Sequence, residues 1–189
     1  TGGSNVAIGY QALDANTTAH YNIAIGNGAL SANTTGSPNL AIGYLSLNVN
    51  TTGVANIAIG QNSLELNTAS YNTAVGRSAL GGNTTGAHNV AVGKGALTAN
   101  TTADDNVAIG SMALEDNTTG GSNTAIGRLA MMQNTTGASN VAIGQTALEN
   151  NTTASNNVAV GYDSLKANTT GDSCVAVGKD ALLAHTTGN

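Results

Sequence analysis

The chain has 189 residues, with five basic and ten acidic side chains and a formal net charge of −5. It holds no Phe or Trp, five Tyr and 25 Gly, so nothing in it fills a wide globular core. Its mild acidity argues against a nucleic-acid surface, which needs basic clustering. No run of about 18 apolar residues occurs, so no membrane insertion is expected.

One element recurs along the whole chain: Asn5-Val6-Ala7-Ile8-Gly9, Asn22-Ile23-Ala24-Ile25-Gly26, and so on, eleven times. The closing glycines fall at 9, 26, 43, 60, 76, 93, 110, 127, 144, 161 and 178, seventeen residues apart except for the sixteen between Gly60 and Gly76. The full unit reads N-V-A-I-G-x-x-A-L-x-x-N-T-T-G-x-x. A fixed period of this size marks a solenoid.

The first three units are regular, with Pro38 in a turn where a missing N–H does no harm. In the short unit, Asn67-Thr68-Ala69 replaces Asn-Thr-Thr-Gly. A residue lost from a strand would flip every later side chain to the other face, so Asn-Thr-Thr reads as a turn that absorbs the change. The units from Gly93 to Gly161 are regular again. In the last, Cys174 and His185 stand where earlier units have Asn. No linker or second domain interrupts the chain, and residues 1–189 read as one repeat domain cut from a longer fibrous protein.

Within each unit, Val-Ala-Ile between Asn and Gly is a strand signal. Seventeen residues at roughly 3.3 Å give a perimeter of about 56 Å, enough for a flattened coil of two short strands and two turns with sheets about 10 Å apart. The expected fold is all-β: a parallel β-solenoid, or β-roll, of eleven coils. The Asn columns that begin at Asn5 and Asn16 should stack and hydrogen-bond along the axis, and the corner glycine should need positive φ or close backbone approach.

Strand side chains alternate, which places Val and Ile on one face and Ala on the other. Alanine holds its position in every unit: Ala7, Ala24, Ala41, Ala58, Ala74, Ala91, Ala108, Ala125, Ala142, Ala159 and Ala176. A strand apolar on both faces is buried on both. With Val and Ile closing the coil, the alanine stripe is expected to lie outside and to meet sister subunits.

Asn123-Thr124-Ala125-Ile126-Gly127 and Asn117-Thr118-Thr119-Gly120 resemble the repeats of phage tail-fibre proteins and, with a shorter unit, the head repeats of trimeric autotransporter adhesins. The resemblance covers the whole chain. It implies a homotrimer of left-handed β-rolls packed side by side, extracellular, on a virion tail fibre or a bacterial surface.

The position after each corner glycine varies and holds four of the five basic residues and three of the tyrosines. Tyr10, Tyr44, Arg77, Lys94, Arg128, Tyr162 and Lys179 could stack on sugar rings and bind hydroxyls or anionic groups of a glycan or protein receptor. The same column also reads as a solvated edge or as inter-subunit charge pairs. Asp14, Glu65, Glu115, Asp116, Glu149 and the pair Asp104-Asp105 read as solvated surface, since calcium needs six to eight converging oxygens. His20, His88 and His185 sit at unrelated phases and make no common metal site. No cofactor, no metal and no catalytic set is expected.

The first Thr of Asn-Thr-Thr is present in all eleven turns. Regular threonine columns on a β-solenoid allow an alternative reading, ice binding. Asn-Thr-Thr is also a glycosylation sequon. The leading expectation is a non-enzymatic fibre segment that projects or forms a host-surface binding site.

Overall fold

A computed structural model describes residues 2–188; Thr1 and Asn189, at the ends of the proposed segment, lie outside the described residues. Eleven strands follow one another: β1 (Val6–Ile8), β2 (Ile23–Ile25), β3 (Asn39–Ile42), β4 (Asn56–Ile59), β5 (Thr73–Val75), β6 (Val90–Val92), β7 (Val107–Ile109), β8 (Thr124–Ile126), β9 (Val141–Ile143), β10 (Val158–Val160) and β11 (Val175–Val177). They form a single parallel sheet in sequence order. The register is constant, with Ala on Ala from Ala7↔Ala24 through to Ala159↔Ala176. The molecule is a β-solenoid of stacked coils of about 17 residues, with no helix among the described residues.

Only one strand forms per coil, in place of the two expected. The stretch after the corner glycine runs through two tight turns: Ala96 N–H donates to Gly93 O, and Asn100 N–H to Leu97 O. These turns stack on the next coil through bonds such as Leu97 N to Ala113 O at 3.0 Å. The backbone is thus paired along the axis without a second sheet. The first turn brings Ala or Ser inward, and where Ser occurs its hydroxyl donates to the corner carbonyl, as Ser63 does to Gly60 O at 2.9 Å. The second turn starts at a Leu with φ near 50°: Leu80, Leu97, Leu114 and, in one coil, Met131. A left-handed conformation costs a bulky residue about 1–2 kcal/mol. These side chains are fully buried, a gain of roughly 1.5–3 kcal/mol each, and burial wins.

The alanine stripe is where the sequence reading fails. Ala24, Ala41, Ala58, Ala74, Ala91, Ala108, Ala125, Ala142 and Ala159 have no exposed surface within the single chain, and Ala176 retains 3 %. Only Ala7, in the first coil, is exposed. These residues pack with the leucines in the chain's own core. They are not a surface left for sister subunits. With one sheet and a tight turn opposite, the lumen is too narrow for branched side chains on the strand as well as Leu across from it. The methyl of Ala fits, and Val and Ile are turned outward.

Asparagine supplies the polar half of the core. In the first column, Asn89 Oδ1 accepts from the Asn106 backbone N–H at 3.0 Å, and Asn123 Oδ1 from Asn140 N–H at 3.0 Å. In the second, amide meets amide: Asn134 Nδ2 donates to Asn117 Oδ1 and Asn151 Nδ2 to Asn134 Oδ1, both at 2.8 Å. The two asparagines of a coil converge on one carbonyl, Asn123 and Asn134 on Gly137 O. The Asn-Thr-Thr amides from Asn33 to Asn168 are fully buried, which closes them as glycosylation acceptors in the folded chain.

The short coil keeps the strand register, Ile57↔Thr73 and Ala58↔Ala74. The turn absorbs the deletion as expected, at the cost of one rung. Asn67 Nδ2 bonds Ala69 O, and Asn50 Oδ1 below it is left without a partner.

The corner glycines have φ between 126° and 140°. At Gly93 an added Cβ would lie 2.4 Å from Gly110 O of the next coil. The position excludes side chains both by its dihedral and by the closeness of the stacked backbone.

Candidate functional site

Turning alanine inward puts two columns of branched residues on the outside of the sheet. Of these 22 positions 20 are Val, Ile or Leu, the exceptions being Thr73 and Thr124, so the face is apolar from end to end. Mid-rod residues keep a large exposed fraction, 39 % at Ile57 and Ile109 and 38 % at Ile143. The face measures about 50 Å by 10 Å, from ten intervals of about 4.8 Å and three residues of about 3.3 Å. That is roughly 500 Å², at the upper end of what a monomer leaves open. Near one end it dips into an apolar groove of about 310 Å³ between Tyr21, Pro38 and Ala55 on one side and Ile23, Leu40 and Ile57 on the other. This face is the principal surface that sequence reasoning assigned to the wrong residues. No sequence signal told the two faces apart, since Val-Ala-Ile alternates whichever face is inside.

The column after the corner glycine is exposed at Tyr10, Tyr44, Arg77, Lys94, Arg128, Tyr162 and Lys179. Constant strand register stacks these residues coil on coil, so they line one edge of the rod as expected. Their surroundings differ. Lys179 lies 3.8 Å from Asp180 Oδ2 and 5.8 Å from the Tyr162 ring centroid. Arg77, Lys94 and Arg128 make no ion pair among the described residues. Arg77 and Lys94 border a polar notch of about 300 Å³ that also involves Ser78, Gly95, Thr98 and Glu115. Burial raises the Glu115 carboxyl above its ordinary range; Asp116 adds to the rise and Lys94 opposes it.

The remaining basic residue, Lys166, sits 3.1 Å from Asp163 Oδ1 and 3.3 Å from Glu149 Oε2. Thr146 donates its hydroxyl to Asp163. That bond, ahead of the lysine's contribution, holds the Asp163 carboxyl below its usual value, while Asp163 first and then Glu149 hold Lys166 above its own.

His20, His88 and His185 lie in separate coils. Tyr71 and His88 stack with ring centroids 5.2 Å apart, and Asp105 Oδ1 is 4.0 Å from His88 Nδ1. Among the described residues no group of three His, Cys, Asp or Glu side chains converges as a metal site would require. Cys174 and His185 do meet, Sγ to Nε2 at 3.4 Å, with His185 Nε2 also 2.7 Å from Gly188 O. They replace the two asparagines of one coil together and reproduce their convergence on a carbonyl. The simultaneous change of both columns in one repeat was the clue to their contact.

The first threonine of each turn uses its hydroxyl along the axis: Thr101 Oγ1 donates to Thr118 O at 3.1 Å and Thr118 Oγ1 to Thr135 O at 3.0 Å. The second threonines are exposed in a column one residue wide, broken at Ala69. Comparison with family models, curated proteins and solved structures returns no match.

Proposed function

We propose that the chain is a non-catalytic fibre segment, extracellular, from a phage tail fibre or a cell-surface adhesin, whose subunits associate through the outward Val/Ile face. The observation that carries this reading is the apolar sheet face that runs the length of the rod, interrupted only by Thr73 and Thr124. Covering roughly 500 Å² would contribute about 12 kcal/mol per subunit at ~25 cal/mol per Å². That is of the order of the ~4–15 kcal/mol lost on association. A second copy offers a matching surface of equal length at no further demand on the sequence. The number three comes from the likeness of the repeats to tail fibres and adhesin heads.

The mechanism is mechanical and multivalent. A stiff rod projects a binding site and can repeat weak contacts along its edge, which raises avidity. Ice binding has less support, because the first-threonine hydroxyls are committed to the next coil. Sedimentation equilibrium tests the proposal. The expected mass is three times the 18.5 kDa of one chain, and Ile109→Lys with Val92→Lys should reduce it to one chain with the β-type circular dichroism retained. A wild-type chain that stays monomeric at high concentration would refute it.

A further inference from the structure

We propose that the notch between Arg77 and Lys94 is a binding site for a carboxylated sugar, such as a uronic acid residue of a surface polysaccharide. The inference gives the adhesive half of the reading above a ligand, and rests on it for the rod's exposure to such polymers. Three observations carry the proposal.

First, the two cations are stacked. β5 and β6 pair in register as Ala74↔Ala91 and Val75↔Val92, so Arg77 and Lys94 leave the rod from equivalent points one coil, about 4.8 Å, apart. Neither has a carboxylate within ion-pair distance among the described residues. In a chain of net charge −5 with five basic residues, an unpaired adjacent couple of like charge is a local departure. A shared anion would relieve their repulsion, and a guanidinium can take a carboxylate through two parallel hydrogen bonds.

Second, Gly95 lines the notch as a glycine that neither its backbone nor its neighbours require. Its φ is 70°, but Ser78 and Met112, at the same place in the neighbouring coils, have φ of 58° and 57°, so the backbone does not demand glycine. Crowding does not demand it either. An added Cβ would lie 3.5 Å from Glu115 Oε1 and from Met112 Cγ and 3.6 Å from Thr98 Oγ1, ordinary contact distances. At Gly28, the other glycine in this column, the Cβ would press on Leu45 Cδ2 at 2.7 Å. Gly95 is thus the one where a small side chain would fit without a clash and the sequence still carries none.

Third, the walls are polar and of mixed sign. Gly95 N–H donates to Arg77 O at 3.0 Å and Thr98 Oγ1 to Ser78 O at 3.1 Å, which fixes the floor. The Ser78 hydroxyl is left to a ligand, and the Glu115 carboxylate can accept from a sugar hydroxyl. Glu115 also disfavours a bare dianion, so the site selects a monoanion that carries hydroxyl groups. A volume of about 300 Å³ suits one ring.

The test is a titration of the intact chain with unesterified hexagalacturonate, its methyl ester and sodium sulfate, followed by amide chemical shifts. The expected result is shifts at Ser78, Lys94, Gly95 and Thr98 with the unesterified sugar alone. Arg77→Gln and Lys94→Gln should each weaken binding by about tenfold. Gly95→Gln, which places a side chain found at Gln11 of the first coil, should abolish the shifts with the oligomeric mass unchanged. Equal response to the ester, reproduction of the shifts by sulfate, or wild-type binding by Gly95→Gln would each overturn the proposal. A trimer that ignores the uronide defeats the notch alone, whereas a monomer that binds it defeats only the fibre reading.

Discussion

The asparagine column makes a quantitative demand on the fold. Asn123 accepts the Asn140 backbone N–H at 3.0 Å and donates to Gly137 O at 2.8 Å, and it is fully buried. Asn123→Ala therefore strands the Asn140 N–H where water cannot reach, while Gly137 O keeps its bond from Asn134 Nδ2. One orphaned buried group costs roughly 1–3 kcal/mol, so the expected loss is about 2 kcal/mol, a sizeable share of the ~5–15 kcal/mol of a typical domain. Asn123→Asp sharpens the test. One carboxylate oxygen still accepts from Asn140 N–H, but the other faces Gly137 O, and only the protonated acid can donate there. The folded-state pKa of that acid should rise above the unfolded value of about 3.9. Its stability is then fully present below that value and is lost as pH rises through the folded value. Urea unfolding at fixed protein concentration, at about pH 3.5 and 7 relative to wild type, measures both, and amide exchange at Asn140 reports the local effect. A cost below about 1 kcal/mol for Asn123→Ala, or an Asn123→Asp deficit that does not shrink at low pH, would refute the reasoning.

Three further outcomes follow from the same geometry. Gly93→Ala drives a methyl to 2.4 Å from Gly110 O at φ 140° and should prevent folding of the central coils, read as loss of amide-exchange protection around β6 and β7. At Leu97, φ 52° and fully buried, replacement by Ala should cost about 2–5 kcal/mol. Leu97→Gly should cost no more than Leu97→Ala, because the left-handed strain of ~1–2 kcal/mol vanishes; denaturant midpoints that rank Gly well below Ala would contradict the assigned turn. Because Asp163 is held down chiefly by the Thr146 hydroxyl, its stabilisation is present above the ordinary aspartate value and lost as pH falls through the lowered one. Carboxyl NMR should find its midpoint below about 3.9, moving up in Thr146→Val.

Much of this architecture is legible in the residues. The seventeen-residue spacing of Gly9, Gly26 and their successors gives the coil, the loss of a residue beside Thr68 marks the turn, and Asn5 and Asn16 announce two stacked columns. The outward direction of the strand was not legible. Val-Ala-Ile alternates whichever face is inside, and period-two patterning fixes that faces differ without naming the inner one. Leu97 likewise gives no warning of a left-handed turn, since branched aliphatics are poor candidates for positive φ and only complete burial justifies one.

By itself the sequence determined the repeat length, the parallel register and the residues that must stack, because those depend on a period and on groups that satisfy one another from coil to coil. Which side chains fill the lumen and which face outward was decided only by the closed coil. Its cross-section is set by the turn opposite the strand, and that width admits a methyl and a leucine but not two branched side chains.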